Sequence, residues 1–186
     1  MKPTLSEEDY ARAAIALGVR VPEIKTVAEV EAPRGGFLPS GLPTILFERH
    51  QFSKRTFGKF DTAYPDISNK KPGGYKGGQA EHLRLDAAAN LDRTAALEST
   101  SWGKFQIMGF NHVAAGHPTL QGFINAMFSS EGEQLDAFVA LLKTWGLADE
   151  LREHRWAAFA ERYNGANYAI NKYDEKLAAA YRKWSA

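Results

Sequence analysis

The segment Ser101-Trp102-Gly103-Lys104-Phe105-Gln106-Ile107-Met108-Gly109 sets a polar amide, Gln106, inside an apolar run. Gly103 permits close backbone approach, and an amide so placed must find a hydrogen-bond partner or cost stability. A groove that reads a neutral polar ligand, such as an amino sugar, is built from such groups. Glu31 is the best candidate for proton chemistry. It follows Ile24 at i+7 and Val27 at i+4, so a helix through all three puts it on the buried face. It also falls in the last turn, where the negative end of the helix dipole disfavours a second negative charge. Burial and dipole both push a carboxyl pKa upward and favour the protonated form near neutrality. A general acid that protonates a glycosidic oxygen needs that form. The same position also suits an exposed glutamate at a helix end, or a partner for Arg34.

Glu48 follows the apolar run Thr44-Ile45-Leu46-Phe47. If strand alternation continues, Glu48, His50 and Phe52 share one face, opposite Phe47. A carboxylate beside a histidine could line a groove; an ion pair between Glu48 and Arg49 at a strand edge is the alternative. Asp61 and Asp66 are further carboxylates in the loop that follows. Tyr163-Asn164-Gly165, with Asn167 and Tyr168, offers flat apolar faces and paired hydrogen-bonding groups suited to sugars. It equally suits a capped turn in which Asn and Gly take positive φ. Trp102 and Phe105 are candidates to pack on a sugar ring because they flank the Gln106 segment, whereas Trp145, Trp156 and Trp184 read as core.

Other chemistries are poorly supplied. The chain has no cysteine, so disulfides, thiolate catalysis and thiolate metal sites are excluded. His112 and His117 are five apart, off a common helix face, and there is no His-Glu-x-x-His; no metal and no cofactor are expected. A net charge of +1 argues against a broad nucleic-acid-binding face. No run approaches transmembrane length, so stable membrane insertion is not expected. The N-terminus lacks the apolar stretch of a signal peptide, which leads to the expectation of a cytoplasmic product that needs another route out. A small chain of this kind is expected to be a monomer.

The elements that must position these groups are mainly helical. Ser6 followed by Glu7, Glu8 and Asp9 starts a helix that runs to about Leu17 and closes at Gly18. Pro22 begins a second, ended by Pro33 and Gly35-Gly36. Thr44 to Phe47 reads as a short strand opening a small sheet, and residues 53–78 as a long Gly- and Pro-rich loop. Helices are expected at His82–Asn90, around Thr94–Leu97, again from Phe105, as one long amphipathic helix Phe123–Trp145, then at 148–161 and Tyr173–Trp184. Size and composition suit one domain over residues 1–186.

The order of the motifs, a glutamate ending an N-terminal helix, then Gly-x-x-Gln-Ile-Met, then Tyr-Asn-Gly, resembles that of lytic transglycosylases and goose-type lysozymes. Longer matches are similar to the N-acetylmuramidase family of phage endolysins. They are Ala-Glu-Val-Glu at 28–31, Ile-Leu-Phe-Glu-Arg-His at 45–50, Asp-Ile-Ser-Asn at 66–69, Ser-Trp-Gly-Lys-Phe-Gln-Ile-Met-Gly-Phe-Asn at 101–111, Gln-Leu-Asp-Ala-Phe at 134–138 and Tyr-Asn-Gly at 163–165. One departure is Ala32-Pro33 after the glutamate, where relatives typically carry Ser. The resemblance implies a mainly α, lysozyme-like α+β fold, with one small β-hairpin or sheet and a long loop flanking a glycan cleft. It implies cleavage of the β-1,4 bond between N-acetylmuramic acid and N-acetylglucosamine in bacterial peptidoglycan. Glu31 would be the acid, Glu48 the second carboxylate with Asp61 or Asp66 as substitutes, and His50, Trp102, Phe105, Gln106, Tyr163 and Asn164 the substrate contacts. A carboxyl separation of about 5–5.5 Å would indicate retention, and about 6.5–9.5 Å inversion. Two rivals follow from the same scaffold: a lytic transglycosylase forming 1,6-anhydro products, and a non-catalytic wall-binding module. Family members often carry a separate wall-binding module, for which this chain is not expected to have room. The implied setting is host lysis, with the enzyme held in the cytoplasm until a membrane pore releases it.

Overall fold

A computed structural model describes residues 2–32, 35–165 and 168–186, with Asn164 described in its backbone only. Helix α1 (Glu7–Leu17) starts on a capping box in which the Ser6 hydroxyl accepts the Asp9 N–H at 3.2 Å. The Asp9 carboxylate accepts the Ser6 N–H at 2.9 Å in return. Gly18 closes the helix with φ 66°, where a side chain would be strained. Helix α2 (Val21–Glu31) carries Pro22 in its first turn and buries Ile24, Val27 and Ala28, as its spacing predicts. Its last residue is Glu31.

Three short strands form one antiparallel sheet in the order β1 (Ile45–Phe47), β2 (Thr100–Trp102), β3 (Ile107–Met108). Ile45 faces Trp102 across the first pair and Ser101 faces Met108 across the second. The hairpin between β2 and β3 thus contains Gly103 to Gln106. The chain therefore does not begin a helix at Phe105 as expected. It turns back as a strand and then makes a single 3-10 turn at Gly109–Asn111. Gly109 is forced by contact: a Cβ there would lie 2.1 Å from the Leu97 carbonyl oxygen.

The run after β1 is also different from the expectation. Glu48 ends the strand and α3 (Arg49–Arg55) begins at once, so Glu48, His50 and Phe52 do not share a strand face. Phe52 turns fully into the core, stacked near Phe60, while His50 stays half-exposed. Turns and bends then carry the chain to α4 (Gln79–Leu91) and α5 (Arg93–Glu98).

The expected helix Phe123–Trp145 is two helices, α6 (Leu120–Ser129) and α7 (Glu131–Thr144). Ser130 breaks it in an extended conformation and caps α7 by accepting the Glu133 N–H at 3.1 Å. The 148–161 prediction is likewise divided into α8 (Ala148–Arg152) and α9 (Trp156–Asn164), with His154 at φ 55° between them. The final helix α10 (Tyr173–Trp184) has the predicted bounds and packs along α2.

Phe123, Met127, Leu135, Leu141, Leu142, Phe159 and Leu177 are fully buried where these helices meet. At about 1.5–3 kcal/mol for each large apolar side chain, this shared cluster is the main force holding the helices together. The mainly α, lysozyme-like α+β reading is correct.

Candidate active site

Two adjoining cavities, of about 330 Å³ and about 450 Å³, share three lining residues: Glu31, Gln106 and Tyr173. Glu31 therefore stands where the two halves of one cleft join. On one side lie Val30, Gly35, Thr44 to Leu46, Gly77, Gly78, Gly103 and Lys104. On the other lie Phe105, Ile107, Met108, Asn111, Leu141, Trp145 and Tyr163. Glu31 is half-buried. It is the one carboxylate among the described residues lining either cavity, and Lys104 the one cation.

The hairpin delivers Gln106 to this junction in the left-handed region, at φ 48°. Its amide is held on three sides. The Ser101 hydroxyl donates to Oε1 at 2.9 Å, and Nε2 donates to the Gly103 carbonyl at 2.8 Å and the Thr44 carbonyl at 3.3 Å. The partner demanded of Gln106 by its apolar setting is thus found within the protein. One lone pair of Oε1 remains available to a ligand donor.

Tyr163 reaches the Phe105 carbonyl at 3.5 Å, and its ring packs edge-on to Phe138. Burial, and then the nearby charge of Glu31, push the Tyr163 phenol far above its ordinary value. The same two causes, in the same order, raise Tyr173. Both tyrosines therefore stay neutral across the physiological range and keep their O–H donors.

Long-range polar contacts fix the two walls. Glu131 and Gln134, one turn apart at the start of α7, are almost wholly buried. Glu131 accepts the Gly36 N–H at 2.6 Å, and Gln134 accepts the Lys104 N–H at 2.7 Å. One helix end therefore holds both the segment that follows α2 and the hairpin that carries Gln106. The fit is close: a Cβ on Gly36 would fall 2.2 Å from Gln134 Oε1, and one on Gly103 2.7 Å from its Cδ. Lys104 Nζ lies 3.4 Å from Glu131.

Glu81 does the same for the glycine-rich segment before α4. Fully buried, it accepts N–H groups of Lys76 (2.5 Å), Gly77 (3.1 Å) and Phe47 (3.1 Å), and the Arg84 guanidinium at 2.8 Å. Burial alone would raise its carboxyl pKa; the three backbone donors and then Arg84 outweigh it and hold it below the usual range.

The predicted residues divide into two groups. Glu31, Gln106 and Tyr163 come together in the cleft. Phe105 lines it, but its ring is buried and stacked on Phe138 at 4.4 Å between centroids. Trp102 is 1% exposed and spends its indole N–H on the Leu97 carbonyl at 3.1 Å. Neither buried ring has a face to offer a sugar, which corrects the packing role expected of them.

Glu48 does not line the cavities bordered by Glu31. It accepts the Tyr75 hydroxyl at 2.8 Å and lies 3.2 Å from His50 Nδ1. Arg49 turns away from it to the Lys71 and Pro72 carbonyls. Asp61 is bound by the Ser53 and Ser68 hydroxyls, at 3.0 and 2.5 Å, and Asp66 is exposed. The Asn164 side chain, Asn167 and the Pro33-Arg34 pair lie outside the described residues.

Tyr173, Lys104, Glu81, Glu131 and Gln134 were not singled out from the sequence. For Glu131 a signal existed, because it sits at i−4 from Leu135 and so on the buried face of α7.

The sequence profile of the N-acetylmuramidase family matches residues 20–185. Among solved structures, the crystal structure of the Burkholderia AP3 phage endolysin is similar, at 44% identity with a TM-score of 0.93. The match covers 98% of this chain and 72% of that one. No curated protein matches.

Proposed function

This chain belongs to the N-acetylmuramidase family and is a lysozyme-type glycoside hydrolase acting on peptidoglycan; from that premise we propose that Glu31 is its catalytic acid. The observation that carries the assignment is its place at the junction of the two cavities, as the one carboxylate among their described lining residues.

A glycan strand laid through the cleft brings a glycosidic oxygen to Glu31. The protonated carboxyl gives its proton to that oxygen as the C–O bond breaks, and positive charge develops on the departing sugar ring. Water then adds to the anomeric carbon and gives its proton to the second carboxylate, leaving a new reducing end. Gln106 Oε1 accepts the N–H of an acetamido group, in the orientation that Ser101 and Gly103 already fix. Tyr173 serves as a neutral donor to a sugar oxygen, Tyr163, whose O–H points to the Phe105 carbonyl, offers its oxygen to a sugar hydroxyl, and Asn164 is assigned a sugar contact as well. Glu48, two residues beyond the cleft-lining Leu46 and oriented by Tyr75 and His50, is assigned the second carboxylate role.

Residues 1–186 act as one catalytic unit and as a monomer in this proposal. The enzyme acts at the cell wall; storage in the cytoplasm and release through a membrane pore belong to the proposal as well. No helix among the described residues is long and apolar enough to cross a membrane.

Mass spectrometry of muropeptides released from purified sacculi tests the reaction. Hydrolysis gives products with reducing muramic acid ends, reducible by borohydride. Products lighter by one water throughout would mean that the substrate's own hydroxyl, not water, completes the reaction.

A further inference from the structure

Phe57 is placed where nothing inside the molecule accounts for it. The residue is 97% exposed, so its ring gains almost nothing from burial. Its backbone sits at φ 54°, just past the end of α3, in the left-handed position that helix ends usually give to glycine. A bulky side chain there is strained, and both local hydrogen bonds, Phe57 N–H to Lys54 and Gly58 N–H to Ser53, are backbone contacts that glycine would make equally well.

The ring borders a third open concavity of about 410 Å³, lined with it by His50, Ser53, Lys54, Gly58 and Lys70. Lys54 and Lys70 are exposed, and neither is in an ion pair among the described residues. The nearby acid Asp61 is held by the Ser53 and Ser68 hydroxyls and feels the charge of Lys70, but forms an ion pair with neither lysine, so the two ammonium groups keep their donors for a ligand.

This concavity adjoins the cleft. Leu46, Gly77 and Gly78 line the cleft, and two residues from them Glu48 and Tyr75 meet in a hydrogen bond. Glu48 in turn touches His50, which lines the Phe57 concavity. One layer of side chains, Tyr75–Glu48–His50, separates the two.

We propose that the surface formed by Phe57, Lys54, Lys70 and His50 is an extension site that grips the glycan strand beyond the cleft, Phe57 packing on a sugar ring and the two lysines pairing with carboxylates of the peptides the strand carries. The inference rests on peptidoglycan being the substrate. The polymer is longer than the cleft and is anionic through its peptide carboxylates, so charge and shape complement a basic groove with an aromatic wall. A concave site one layer of side chains from the cleft favours a strand over a lipid surface.

The test uses the full chain carrying Glu31→Gln, so that sacculi stay intact during the measurement. Binding to purified sacculi is measured by co-sedimentation for this parent and for added Phe57→Gly or Lys54→Gln/Lys70→Gln, with melting temperature read alongside. Phosphatidylglycerol vesicles are the second ligand. Each change is expected to weaken sacculus binding about fivefold, as loss of one or two exposed contacts should. The lysine pair should also flatten the salt dependence. Phe57→Gly should melt no lower than the parent, because glycine relieves the strained backbone. Sacculus binding within twofold of the parent overturns the proposal. Weakened binding to vesicles alone also overturns it, in favour of a lipid surface. Release of soluble fragments by the parent would count against Glu31 as the acid, a separate readout from binding.

Discussion

Replacing Glu81 by alanine would remove a buried carboxylate that ties β1 to the glycine-rich edge of the cleft. Four donors lose their acceptor: the N–H groups of Lys76, Gly77 and Phe47, and one arm of Arg84. Arg84 keeps the Phe47 and Asp66 carbonyls, at 3.0 and 3.2 Å, but its charge is then left in a buried site without its counter-ion. Breaking a buried pair from one side costs about 3–5 kcal/mol. For a chain of this size, each kcal/mol shifts the melting temperature by about 2–4 °C, so a fall of roughly 10 °C is expected. Gly77 and Gly78 line the cleft, so lytic activity should fall in the folded fraction too. Urea unfolding followed by tryptophan fluorescence gives the free energy directly. The pH dependence supplies a second signature. The folded-state pKa of Glu81 lies below its unfolded value. Its stabilisation is therefore complete above about pH 4.3 and is lost as pH falls through the folded pKa. Glu81→Gln should show a shallower loss of stability on acidification than the wild type. A Glu81→Ala protein within 1 kcal/mol of wild type would refute the reasoning.

Gly36→Ala drives a methyl group to 2.2 Å from Gln134 Oε1; a cost of about 1–3 kcal/mol is expected, with a larger fractional loss of kcat, measured by unfolding and sacculus-clearing assays together. Trp102→Phe should cost about 1–3 kcal/mol as a core substitution that orphans the Leu97 carbonyl, while KM for sacculi stays unchanged; a selective rise in KM would restore Trp102 as a substrate contact. Tyr173→Phe removes a neutral donor at the junction of the cavities. KM should rise a few-fold, by about 1 kcal/mol of lost hydrogen bonding, and the alkaline side of the pH–rate profile should keep its shape to pH 9, because the raised Tyr173 phenol does not titrate there. Glu48→Gln keeps an acceptor for Tyr75 but removes the charge; a fall in kcat of at least tenfold is expected from the second-carboxylate role, at unchanged melting temperature.

The parts of this molecule legible from sequence are those decided locally. Ser6, Gly18 and Pro22 mark helix ends by their own backbone chemistry, and the structure puts ends there. The division at Ser130 was hidden because apolar spacing continues across it; only the serine and the acids after it signal a new start. The turn into α3 was hidden because Glu48-Arg49-His50-Gln51-Phe52 fits strand alternation as well as a short helix. The site follows the same rule. Glu31 and Gln106, which line both cavities, stand out in the sequence by residue type in context. The burial of Trp102 and Phe105 is not legible, because an aromatic next to a polar segment says nothing about which side of the hairpin it faces. Tyr173 enters the cleft because α10 packs along α2, a contact between the two ends of the chain that no local pattern encodes.

Glu31 is the residue on which the proposed chemistry depends most directly. The decisive measurement is the initial rate of reducing-end release from purified sacculi by Glu31→Gln and wild type, each at a temperature where unfolding curves show it fully folded. Loss of a general acid predicts a rate at least about a hundredfold lower, with sacculus binding retained. A Glu31→Gln rate within tenfold of wild type would contradict the account and place the acid elsewhere.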